Sequence, residues 1–434
     1  MKLKTLLFAA LFVALLTGRA VAQGLTVDIH GPGQRKVNMV MLPPRPLNQG
    51  APPAMSKTFE ELVQQNLRFM PFLNLMPAST VPGGDPSKGV TAEDINFRPL
   101  QLARIDLTMT TGWEGNRLEA RVYETFSGRR VIGKAYGDLT DASLPDVADR
   151  FCSLLMEALT GKKGFFTSPI AFVRRVGSAK EIFTVLPQGR ALTQVTSLGG
   201  FNLGPDWSKD GNLLVFTHLN EERHSLGLWN RKTGEVKLFR EGLGNTVISP
   251  AFTPEGGVAV TLNKSGSADI YMLDSSFRPR GTIASSGFID VSPAFDSTGR
   301  VMAFTSGRFG GPQIFVLNRD TNEVKRVTFE GNYNTSPSLS PDGRFVAFSR
   351  QTSNGHRIIL TDLSSGQERQ ISFGPGNDED PAFGPEGYYI AFTSNRSGQY
   401  RIYLTTRHGD EPILVPTGPG DATSPAWDTA AGSD

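Results

Sequence analysis

The chain has 434 residues with 38% hydrophobic side chains, which sets a globular protein of two or three domains with real cores. Without Lys2, Lys4 and Arg19 of the N-terminal leader the formal charge falls from +2 to −1, so no global field draws the chain to nucleic acid or to an anionic membrane. The single cysteine, Cys152, excludes an internal disulfide, and stability has to come from packing.

Residues 1–22 read as a cleaved secretory signal peptide. Lys2 and Lys4 precede an apolar run from Leu6 to Leu16, and Ala20-Val21-Ala22 supplies the small residues needed at the cut. The run is far shorter than the roughly 20 residues that span a bilayer, and no cysteine near the cut is present to carry a lipid. The mature chain is expected to be soluble.

Residues 23–163 predict a small α/β domain. "LTVDIH" at 25 and "KVNMVMLPP" at 36 read as strands, and Phe59, Leu62, Val63, Leu67 and Met70 fall at helical spacing after a Ser or Thr cap. "ARIDLTMTTGW" and "RLEARVYETF" form a hairpin about Glu114-Gly115-Asn116. A second helix covers "SLPDVADRFCSLLMEALTG", with Ser143 and Asp146 as a capping box, Cys152 in a packing role, and Gly161 as its end.

Residues 164–434 repeat. "PDWSKDG" at 205 returns as "PAFTPEG" at 250, "PAFDSTG" at 293, "PSLSPDG" at 337, "PAFGPEG" at 381 and "PAWDTAA" at 425. A second strand such as "FVAFSRQ", a third such as "IFVLNRD" and a fourth such as "VKRVTF" follow, so each unit of about 44 residues is one four-stranded propeller blade. The Asp-Gly or Glu-Gly turn supplies positive φ between strands, and the proline, which cannot donate to a ladder, is expected to start its strand. Residues 169–198 offer three strands without a first, and "SPAWD" at 424–428 offers a first without followers. Together they complete a sixth blade, giving a mainly β protein: a six-bladed propeller closed by its C-terminal strand.

The catalytic inventory is thin. His30, His218, His224, His356 and His408 show neither ligand spacing nor the blade period and read as mostly solvated; no metal site or cofactor is expected. There is no G-x-S-x-G elbow. Asp378-Glu379-Asp380, expected on a loop at the channel mouth, would suit a cation or a basic partner group. Binding is favoured over catalysis; a secreted propeller hydrolase or lyase, or a small-ligand sensor, is the alternative.

The order of signal peptide, α/β domain and "P-A-F-[ST]-P-D-G" blades ending in "SPAWD" resembles the TolB family, the periplasmic component of the Tol-Pal system, whose repeats are of the WD40-like PD40 kind. "LTVDIHGPG", "EALTGKKGFFTSPIAFV" at 157–173 and "VTFEGNYN" at 327–334 carry the resemblance outside the signature. It implies a non-enzymatic, monomeric adaptor in the periplasm that supports outer-membrane integrity and cell division. Its propeller would bind the lipoprotein Pal, a contact that bacteriocins can mimic, and its N-terminal segment would bind TolA. By position, TolA would meet Leu25, Thr26, Val27, Asp28, Ile29 and His30, and Pal would meet Thr246, Asp290, Asn334, Asp378 and Glu379. "GNTVIS" at 244–249 carries no histidine where the family leads one to expect it, and "HGPGQRK" differs in charge from the family's usual N-terminal stretch.

Overall fold

A computed structural model describes residues 35–430 other than Glu222 and Ser265; the signal-peptide segment and Leu25 to His30 lie outside the described residues. The first unit is a sheet of β1 (Val37–Met41), β2 (Arg45–Pro46), β3 (Leu73–Met76), β4 (Leu107–Glu114), β5 (Arg117–Glu124) and β6 (Arg130–Tyr136), in the order β3-β1-β4-β5-β6 with β2 beside β4. β1 runs parallel to both its neighbours, whereas β4, β5 and β6 form an antiparallel meander turned at Gly115. Helices α1 (Met55–Leu67) and α3 (Leu144–Thr160) cover one face and bury Phe59, Val63, Trp113, Phe151 and Cys152. The short α2 (Phe97–Leu102) and its flanking loops cover the other with Val81, Ile95 and Leu100, so β4 is buried on both sides except at its last residue.

The expected caps differ. α1 starts one residue earlier, behind Ala54, with no side-chain cap. Ser143 does not cap α3; its hydroxyl donates to the Thr140 carbonyl at 3.0 Å instead, and a proline in the first turn removes one orphan N–H that a cap would serve. Gly161, at φ 68°, does end the helix in a left-handed turn.

Beyond Ser168 the chain forms six four-stranded blades. Their innermost strands are Phe201–Trp207, Val247–Phe252, Asp290–Phe295, Asn334–Leu339, Asp378–Phe383 and Ala422–Trp427. The last pairs with Ile170–Val176, placing Trp427 opposite Ile170, and Ala179–Val185 and Thr193–Gln194 complete that closing blade. A parallel bridge from Phe201 to Lys180 ties it to the next blade, so these two share one hydrogen-bonded sheet. At the middle of each second strand Phe172, Phe216, Val260, Phe304, Phe348 and Phe392 recur every 44 residues and are fully buried.

The prolines do not begin their strands. Each innermost strand starts three or four residues earlier, and the proline sits at a β-bulge where no ladder donor is needed. The residue before it is left-handed in every blade: Gly204 (φ 56°), Ser249 (49°), Ser292 (57°), Ser336 (53°), Asp380 (50°) and Ser424 (51°). For a non-glycine residue this conformation costs on the order of 1 kcal/mol or more.

The two units share a core. Phe165 stacks on Phe166 and meets Tyr389 and Trp427. The Tyr389 hydroxyl donates to the Phe69 carbonyl at 2.6 Å, and Trp427 Nε1 to that of Ser168 at 3.3 Å. Beside them Asp149 of α3 pairs with Arg190 from the propeller turn that follows Val185, and accepts from Asn66 at 2.8 Å and Gln188 at 2.7 Å. The α/β unit therefore sits on the face where the first strands turn into the second, leaving the fourth-to-first-strand loops on the opposite face.

Candidate functional site

Those opposite loops are pinned from below. Glu181, Ser225, Asp269, Gln313, Arg357 and Arg401 recur at an interval of 44, each in a third strand just before its first fully buried apolar residue. Glu181 accepts from the Gly199 N–H at 2.8 Å and from Asn202 at 2.9 Å; Gln313 accepts from Thr328 at 2.6 Å and Asn334 at 3.0 Å. Arg357 donates to the carbonyls of Gly374 and Gly376, and Arg401 to that of Gly420. Polar side chains buried this way spend their hydrogen bonds on loop backbone and fix its shape.

A second layer uses the first residue of three innermost strands and the second residue of a fourth. Asp290 pairs with Arg308 at 3.1 Å, and Asp378 with Arg396 at 2.9 Å; in both, a serine two residues before the arginine accepts from its Nε. Asn334 accepts from Arg350 at 2.8 Å, and Asn202 bonds His218 at 2.9 Å. Asp290, Asn334 and Asp378 are each 0% exposed. These side chains hold the mouth rather than present themselves at it.

The acidic triplet is not on a loop. It opens the strand Asp378–Phe383, and the pleat and bulge send its carboxylates three ways. Asp378 is buried between Arg396 and Arg357. Glu379 stays partly exposed 3.2 Å from His356, and burial holds its carboxyl above the usual range. Asp380 turns inward, accepting from Ser336 at 3.0 Å and Ser424 at 3.2 Å. Among the histidines, His218 is buried and not solvated, because it is a strut for Asn202. Among the described residues no three His, Cys, Asp or Glu lie close enough to share a metal ion.

The rim carries apolar surface that sequence reasoning did not single out. Phe288 and Ile289 lie on the loop into the blade of Asp290, at 55% and 59% exposed, and Phe309 on the neighbouring hairpin at 64%. These loops are stitched together: Gly307 N–H donates to Ile289 at 2.8 Å and Asn334 N–H to Pro312 at 2.9 Å. Tyr333 continues the arc and meets His356 edge-on, with ring centres 6.0 Å apart. Below the mouth runs the central channel, about 910 Å³, walled by the left-handed serines, the prolines, Asp206 and Asp380.

A family model described as the TolB beta propeller domain matches residues 156–431. The chain belongs to the TolB family. The Tol-Pal system protein TolB of Nitratidesulfovibrio vulgaris is 46% identical over 306 residues, covering 69% of each chain, and a TolB homolog of Chlorobium luteolum is 32% identical over 70% of this chain and 69% of its own. The crystal structure of TolB from Acinetobacter baumannii shares the fold at a TM-score of 0.78, covering 92% of this chain and 98% of that one at 20% identity.

Of the TolB-type Pal contacts expected by position, Thr246 and Glu379 are partly exposed at the mouth, whereas Asp290, Asn334 and Asp378 are internal. The rim aromatics were missed because isolated Phe in a loop carries no periodic signal. The 44-residue polar ladder was there to be found, as a polar residue before the first buried apolar residue of each third strand.

Proposed function

We propose that this chain is a non-enzymatic periplasmic adaptor of the Tol-Pal system, acting as a monomer that links a TolA-like inner-membrane protein to a Pal-like outer-membrane lipoprotein. In this reading residues 23–163 are the TolA-facing domain, with Leu25 to His30 as the contact segment, and residues 164–434 are the Pal-facing propeller. That linkage would support outer-membrane integrity and envelope constriction at division. The observation that carries it is the mouth: a rigidly pinned rim, free of the α/β unit, with Phe288, Ile289, Phe309 and Tyr333 exposed beside Thr246 and Glu379. Exposed aromatic anchors around a fixed frame are what a protein partner requires.

In the refined contact set Thr246, Glu379 and the rim aromatics touch Pal, while Asp290, Asn334 and Asp378 position them. The acids at the mouth favour binding over hydrolysis, since Asp290 and Asp378 are consumed by arginine pairs. The test is affinity capture of the mature chain from the envelope of its own bacterium. Recovery of a peptidoglycan-binding lipoprotein together with a TolA-like protein is expected; recovery of neither sinks the reading.

A further inference from the structure

The channel wall has a gap on one blade. Five of the six left-handed positions carry a side chain, four serines and Asp380, but the blade of Phe201–Trp207 has Gly204 there, where an added Cβ would meet nothing within 4 Å. Thr217, opposite Leu203 in the ladder, lines the channel behind this gap. It is 2% exposed, and its hydroxyl has no hydrogen-bond partner among the described residues. At the matching position of four other blades, Ser349 and Thr393 accept from the N–H groups of Asp380 and Ser424 at 3.1 and 2.9 Å, while Thr261 and Thr305 are without a partner among the described residues, as Thr217 is. Of these three unpaired hydroxyls, Thr217 alone belongs to the blade with glycine at the left-handed position.

Two residues beyond Gly204 stands Asp206, where the other blades have Ala251, Ala294, Ser338, Ala382 and Ala426. One of its oxygens accepts from the Phe252 N–H at 2.7 Å, as Ser338 does from Phe383 at 3.1 Å, so the strut itself needs no charge. Asp206 and Asp380 both line the channel without an ion-pair partner among the described residues. The channel's own cation, Lys209, reaches instead for the Ser297 carbonyl at 3.4 Å.

We infer that the channel holds a primary ammonium group in the niche of Gly204, Asp206 and Thr217, with Asp380 as a second carboxylate on the far side of Ser424. An ammonium offers three divergent donors and wants a carboxylate plus neutral oxygens, which is the set on this wall. A calcium ion wants six to eight oxygens, and no cluster of three acidic or imidazole ligands gathers here. A lysine on a protein segment entering the channel and a free alkylamine present the same chemistry. The inference is independent of the Tol-Pal reading, since it concerns the purified chain alone.

The test is calorimetric titration of the mature chain with Nα-acetyl-lysine methylamide, the peptide Gly-Gly-Lys-Gly-Gly and putrescine, with the norleucine amide and calcium chloride as controls. The amines are expected to bind and the norleucine amide not to. Asp206→Asn and Gly204→Ser should each weaken binding about tenfold or more. Gly204→Ser is expected to fold, because four blades already hold serine in that conformation. Tighter binding of the peptide assigns the site to a protein segment, and tighter binding of putrescine to a free amine. Absence of binding, equal binding by both variants, or a response to calcium but not to amines overturns the proposal.

Discussion

Arg190→Met should loosen the junction between the two units. The substitution leaves Asp149, 1% exposed, with only the neutral donors Asn66 and Gln188. Stranding one partner of a buried pair costs about 3–5 kcal/mol. The two remaining amide bonds, at about 1 kcal/mol each, bring the expected loss to roughly 1–3 kcal/mol. Burial already outweighs the partners of Asp149 and holds its carboxyl above the usual range. The native state therefore keeps a proton that the unfolded chain releases above its ordinary pKa, so this group's contribution to stability declines as pH rises through that window. Removing Arg190 pushes the carboxyl further up, and the penalty should be larger at about pH 8 than at about pH 5. Asp149→Asn, which strands only Arg190, 19% exposed against 1% for Asp149, should cost less than Arg190→Met, and the double variant less than the sum of the two. Denaturant unfolding followed by tryptophan fluorescence reads all four proteins. A loss below about 0.5 kcal/mol for Arg190→Met, typical of surface changes, or strict additivity, would refute the reasoning.

Asp206 is pushed up to about 7 by burial against the channel wall. It thus contributes stability that falls as pH rises from about 4 towards 7; Asp206→Asn should flatten the melting temperature against pH and raise it on the alkaline side, whereas unchanged slopes would contradict this. Ending the chain after Gly420 removes the strand Ala422–Trp427 and exposes the edge of Ile170–Val176 together with Phe165. Size-exclusion chromatography should then show aggregation, and a monodisperse folded product would count against closure through this strand. Cys152 is fully buried, and burial pushes its thiol well up. It should resist a thiol reagent in the native state and react at once in denaturant.

The blade count was legible because each spoke of a wheel of sheets needs a similar turn and a large buried apolar side chain, phenylalanine in five blades and Val260 in the sixth, and both leave a mark about every 44 residues. The bulge was not. Proline's missing N–H fits the start of a strand and the middle of a bulge equally, and the choice depends on the left-handed Ser or Asp before it, a conformation that such residues do not advertise. The mouth was legible by place and not by direction. Asp290, Asn334 and Asp378 stand where the loops end, yet whether they face a partner or an arginine depends on Arg308, Arg350 and Arg396, 16 or 18 residues on. Ser143 shows the same limit, since its hydroxyl bonds the backbone of Thr140 before the helix and not the first turn of the helix itself.

The account rests on the mouth as a partner surface, and the most direct measurement is the dissociation constant of the mature chain for the Pal-like lipoprotein of its own bacterium. It should be set beside that of the variant Phe288→Asp with Phe309→Asp. Both side chains are more than half exposed, so the variant should fold as the parent does. The account predicts that affinity falls at least about tenfold, equivalent to about 1.4 kcal/mol; equal affinity for the two proteins would contradict it.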